Sequence, residues 1–286
     1  MFRNKQNEIR LIWLITLLVA PFLLIAFLLR YIPIRILISF YTQQGLSRSY
    51  ANDLAQSLIM QDTVWSSLIG IIQGLIWYPI IYSLMRWVEG REISLQAFGF
   101  HQSKKRIWLV PVGMLAGFTI YLCYILIERF LNQQPINLTF SQIGLLSAFL
   151  LTLNFLTNGI GEESAFRAYF QERDIQRHGL WVGIALSSTV FILLHLIIYR
   201  IEIIELMAGI ILAAIFGILY VWSESVFLVG TMHFIFNLIQ TLSQQWPSDQ
   251  SLLIVNLFVF TIILIAFLFV RRKEKLKTKR QFHHSL

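Results

Sequence analysis

Three short motifs in the second half of the chain could do chemistry. They are Glu162-Glu163-x-x-x-Arg167, Phe191-x-x-x-His195 and His233-x-x-x-Asn237. Each sits in or beside a run of apolar residues, where ionisable groups are costly and mark function by default. Adjacent helical residues point about 100° apart, so the two glutamates take different roles. Glu163 and Arg167 are four residues apart, in the favourable order for an ion pair on one helix face. Glu162 shares its own face with Asn158 and Asn154 at four-residue steps, and His233 shares one with Asn237. A carboxylate and two imidazoles in a dry site suit hydrolysis. Glu162 can take a proton from water as general base. His195 and His233 can hold that water or bind a divalent metal such as zinc that activates it, and the residues alone leave both readings open. Asn237 can donate to a developing oxyanion. No Ser/His/Asp pattern and no His-Glu-x-x-His zinc helix is present. Cys123, the single cysteine, lies in another span.

The elements that must carry these groups are membrane helices. Of the 286 residues, 57% are hydrophobic and 13% charged. A soluble domain averages about 25% charged, so a soluble enzyme, a disordered chain and a disulfide scaffold are all excluded. Eight segments approach the roughly 20 apolar residues a crossing needs. They are Leu11–Leu29, Thr63–Met85, Ile107–Ile127, Gln142–Phe170, Trp181–Tyr199, Ile203–Trp222, Val226–Leu242 and Leu252–Val270. No signal-peptide cleavage site follows the first. The expected fold is an all-α polytopic bundle of about eight helices.

With the N-terminus cytoplasmic, only Arg30, Arg35, Arg48, Arg129 and Arg200 of the 23 lysines and arginines fall outside. This places both termini in the cytoplasm. The net charge of +8 thus reflects topology and attraction to anionic lipid, not nucleic acid. Small residues four apart (Gly70 and Gly74, Gly113 and Gly117, Gly209, Ala213 and Gly217) predict close helix packing. Tyr31–Asp62 reads as the longest loop, with a short amphipathic helix within Gly45–Met60. His101, His178, His283 and His284 read as solvated, and Glu205 as near the outer end of its span.

The turn at His178-Gly179 lies 16 or 17 residues from both Glu162 and His195, so a straight hairpin there sets them level. The polar stretch Gln171–Arg177 predicts that the hairpin protrudes into the cytoplasm. Glu162 and His233 then lie about 12 Å deep, at about 1.5 Å per residue.

The three motifs, in this order and at membrane depth, resemble those of the CPBP family of CAAX proteases and bacteriocin-processing enzymes, also called Abi. The resemblance covers roughly residues 140–245, set between N-terminal helices (1–139) and a last helix with a basic tail (246–286). It implies an intramembrane endopeptidase of the cell membrane acting on a membrane-associated peptide or protein. By the same resemblance Glu162 activates water, His195 and His233 complete the site, and Asn237 stabilises the oxyanion. Glu163, Arg167, Phe191 and Asn158 support them. A metal held by Glu162, His195 and His233, or none, is compatible with it. Ala168 stands where the family often has glycine. The competing readings are a non-catalytic immunity or scaffold protein of the same family, and a proton or solute transporter using the Glu and His residues as a relay.

Overall fold

The computed structural model describes residues 10–90, 92, 94–100, 107–133, 143–198, 202–243 and 247–283, excepting the side chains of 198 and of residues beyond 272. Expectations for His101, His284 and the basic residues Arg3, Lys5, Arg91, Lys104, Lys105, Arg106 and Arg200 fall outside the described residues, as does the His283 side chain.

Ten α-helices follow in order: α1 (Leu11–Gln43), α2 (Arg48–Met60), α3 (Thr63–Ser83), α4 (Leu109–Asn132), α5 (Leu145–Glu163), α6 (Glu172–His178), α7 (Leu180–Ile198), α8 (Ile203–Ser223), α9 (Val226–Ser243) and α10 (Asp249–His283). No strand occurs among the described residues. Seven of the helices are long and apolar enough to cross a membrane. The protein is a polytopic helical membrane bundle. The fourth expected span, which becomes α5 and its continuation, falls short of that measure. Asn154, Asn158, Glu162 and Glu163 make it too polar for a helix read alone, yet it lies between α3 and α9 and packs on both.

The first expected loop is a helix instead. α1 continues past Leu29 and through Pro33 as far as Gln43. Pro33 tolerates a helical φ, and the apolar run around it keeps the helix going until Gly45, at φ +90°, turns the chain. Ser47 then caps α2, its Oγ accepting from the Tyr50 amide. α2 folds back on α1 and buries Ala51, Ala55 and Ile59, the stripe expected of an amphipathic helix.

The small residues sit where helices approach most closely. A Cβ at Gly74 would lie 2.5 Å from the Thr157 backbone of α5, and one at Gly113 or Gly117 would strike the α9 backbone. These contacts lock α3 to α5 and α4 to α9. Polar ties finish the frame at its other side. Tyr124 donates to Asn256, whose amide donates to the Ala208 carbonyl at 2.8 Å. Glu128 accepts from Ser248 and Ser251 of the α10 start.

Two helices do not end as α-helices. α3 runs into a π-helical turn at Leu84–Glu89, and α5 into a π-helical segment at Ser164–Gln171. Such i→i+5 segments are uncommon and concentrate at functional sites. The second begins immediately after Glu162-Glu163 and is buried throughout.

Candidate functional site

Aromatic packing sets the site. Phe22 of α1 stacks on Trp77 of α3 at 4.1 Å, and Trp77 meets Phe166 edge-on at 5.4 Å. Phe166 meets Phe191 of α7 at 5.1 Å. The Phe191 ring is 4.5 Å from that of His195 and 6.1 Å from that of His233. One phenylalanine therefore has both imidazoles as neighbours, and the rings behind it fix its position.

Glu162, Glu163 and His233 are brought together. His233 Nδ1 donates to Glu163 Oε1 at 3.1 Å, and its Nε2 lies 3.9 Å from Glu162 Oε2. Arg167 Nε donates to Glu163 Oε2 at 3.0 Å. Glu163 and Arg167 are fully buried, whereas the Glu162 side chain keeps 15% of its surface open. The guanidinium of Arg167 also sits over the Phe191 ring at 5.3 Å. The two carboxylates are thus divided in role. Glu163 has both oxygens committed within the bundle, and Glu162 keeps part of its side chain open.

His195 Nδ1 donates to the Phe191 carbonyl at 2.9 Å, one turn back on α7. Asn237 lies half-buried one turn beyond His233, its amide without a hydrogen bond to another described residue. Asn158 looks away from the chemistry. Its amide donates to the Gly70 carbonyl at 2.9 Å, which joins α5 to α3, and to Asn154 on its own helix. Among the described residues no three His, Cys, Asp or Glu side chains are grouped as ligands for one metal ion. Glu162, His195 and His233 are therefore not grouped as the ligands of one metal ion.

The stretch Gln171–Arg177 differs from its expectation. It contains α6, and Gln171, Arg173 and Asp174 are buried. Arg173 makes a forked pair with Glu89, at 2.6 and 2.7 Å, and Tyr169 donates to the same carboxylate. The partner comes from the π turn after α3, too far away in sequence for spacing to reveal it.

Asp174 has no such partner. Its oxygens accept no hydrogen bond from a described residue, and His178 Nδ1 is 3.8 Å away. Burial pushes its carboxyl up to about 6 from 3.8, outweighing the pull of His178 and Arg177. Between those two pH values the folded chain holds a proton that the unfolded chain has released. Stability therefore falls as pH rises through that window, by on the order of 2 kcal/mol. D174N is expected to raise the thermal midpoint at pH 8 and to flatten its pH dependence between about 4 and 6. A variant whose midpoint tracks the wild type across that range would contradict this account.

The fold and this array define a class: a polytopic helical membrane protein with a Glu–His pair backed by a buried Glu–Arg pair. Residues 144–239, from the start of α5 to near the end of α9, match the family model described as Type II CAAX prenyl endopeptidase Rce1-like. Over these residues the chain is similar to that CAAX protease family, and all three motifs fall within the match. No curated protein and no solved structure matches it.

Proposed function

We propose that this chain is an intramembrane endopeptidase in which Glu162 activates water to cleave a peptide bond of a membrane-associated peptide or protein. The observation that carries the reading is the 3.9 Å gap between Glu162 Oε2 and His233 Nε2. It is too long for a direct hydrogen bond and suits two groups that share one water. With Nδ1–H given to Glu163, the His233 ring in its neutral form presents Nε2 as an acceptor, and that is the form the mechanism uses. A water donating one hydrogen to Nε2 and one to Glu162 turns its lone pairs outward, towards a substrate carbonyl.

The water oxygen attacks the carbonyl carbon as Glu162 takes the proton. The oxyanion that forms is met by the Asn237 amide, which no described residue occupies. His195, its Nδ1 held by the Phe191 carbonyl and its ring 4.5 Å from that of Phe191, completes the site. The C–N bond then breaks, Glu162 returns its proton to the leaving amine, and the new carboxylic acid passes its own proton to that amine, leaving a carboxylate and an ammonium. The site opens at membrane depth in the cell membrane, with both termini cytoplasmic, so its substrates are themselves held at the bilayer.

The test uses the purified chain in liposomes with peptides ending in C-a-a-X, prenylated and unprenylated, and with a membrane-spanning peptide. Fragments are identified by mass, with and without a chelator. Release of a fragment from at least one peptide is expected, with cleavage surviving the chelator. No cleavage of any would defeat the reading.

A further inference from the structure

A line of hydrogen bonds runs beyond the three motifs. Arg167 Nη1 donates to Ser187 Oγ of α7 at 3.0 Å. Ser187 Oγ donates to Gln171 Oε1 at 3.1 Å. Gln171 Nε2 donates to the Gly217 carbonyl of α8 at 3.0 Å. All three side chains are fully buried. We propose that Ser187 and Gln171 are positioning residues that hold Arg167, and through Glu163 the His233 ring, in the orientation that points Nε2 at Glu162; this rests on the protease reading above.

The direction of the bonds supports it. From one end, His233 Nδ1–H donates into Glu163 Oε1, and from the other Arg167 Nε–H donates into Oε2. Glu163 accepts from both His233 and Arg167, and the Gly217 carbonyl is the acceptor that ends the other arm. Each remaining link allows one orientation. Arg167 can only donate, so the Ser187 hydroxyl must pass its own hydrogen onward. Gln171 accepts it through Oε1, which leaves its amide nitrogen for the Gly217 carbonyl. Reversing the Gln171 amide would set Oε1 against that carbonyl and lose both bonds.

Gly217 is part of the device. A Cβ there would stand 2.7 Å from Gln171 Oε1, so the amide would have to shift from the position in which it bonds Ser187 and the α8 backbone. The π-helical segment carries Arg167 and ends at Gln171, presenting both to Ser187. Three elements are thereby tied to one imidazole: the π segment, α7 and α8. Buried hydrogen-bonded lines of this kind rigidify a site, and here every link named is made, while Arg167 Nη2 has no hydrogen-bond partner among the described residues. A histidine that loses its orienting partner samples the wrong tautomer and ring angle, and misplacement by about 1 Å can cost about 100-fold in rate.

The experiment combines turnover with a direct view of the ring. S187A and G217A are compared with wild type for kcat and KM, and by nitrogen NMR of histidine-labelled protein in detergent, with H233A locating the signal. S187T, which keeps the hydroxyl, is the rescue. The expected result is a fall in kcat of about 10- to 100-fold in S187A and G217A with KM little changed. The His233 signal moves from a single Nδ1–H form towards a mixture, and S187T restores both. A His233 signal unchanged in S187A and G217A overturns the proposal, whatever the stability of the variants. If wild type cleaves nothing yet the signal shifts, the positioning line stands and the protease reading falls.

Discussion

Changing Glu162 to glutamine is expected to abolish turnover while leaving the fold intact. The substitution keeps the shape of the side chain and removes its capacity to take a proton. General-base catalysis contributes roughly 10²- to 10⁴-fold, so kcat should fall by at least about 100-fold. Stability should hold, because Glu162 is half-buried and stands 3.9 Å from His233, beyond direct hydrogen-bond reach. Arg167 keeps its bonded partner in the variant, since its Nε donates to Glu163 at 3.0 Å. Fragment release in liposomes and the thermal midpoint in detergent give the two readings. E162Q cleaving at the wild-type rate would remove Glu162 from the chemistry. Loss of cleavage together with a collapse in the midpoint would show a structural glutamate instead.

The reason E162Q can be named at all is that ionisable residues are scarce in this chain. In an apolar helix each one stands out, so Glu162, Glu163, Arg167, His195 and His233 were legible without coordinates. The division between the glutamates was legible as well, because four-residue spacing selects Glu163 for Arg167. What spacing could not convey was the π-helical segment. An i→i+5 turn over eight residues leaves no periodicity that distinguishes it from an α-helix. A related difficulty hid α6. Gln171, Arg173 and Asp174 look like a solvated loop by composition, yet Arg173 finds Glu89 from a distant turn and Gln171 finds the α8 backbone. Polarity signals water only when no buried partner exists, and partners remote in sequence are invisible to local pattern. Ser187 is the extreme case, a small residue in an apolar span that reads as packing. The extension of α1 to Gln43 was missed for a different reason. Pro33 and two arginines mark an end by local rule, and the fold-back of α2 along the helix overrides it.

Removing Arg167 is expected to be the most damaging single change to stability. Arg167 and Glu163 are both fully buried, so each is the other's main compensation for lost hydration. R167A leaves a carboxylate inside the bundle with only His233 as partner, strips the Ser187 hydroxyl of its donor and takes the cation from the Phe191 ring. Breaking a buried pair at one side costs about 3–5 kcal/mol. At 2–4 °C per kcal/mol, the midpoint should drop by roughly 10 °C. R167K keeps the charge but cannot reach Glu163 and Ser187 at once, because a single ammonium replaces the guanidinium fork, so it should recover only part of the loss. The sharper test is the double change. E163Q with R167M removes both charges and fills most of the volume, while the amide oxygen at position 163 still accepts from His233 Nδ1. Neutralising a buried pair as a unit costs less than halving it, so the double variant should be more stable than R167A alone. Its turnover should nevertheless stay low, since the line from Ser187 to His233 is cut. A double variant as unstable as the sum of E163Q and R167M would mean that the two charges act separately, and that His233 is oriented by something other than this pair.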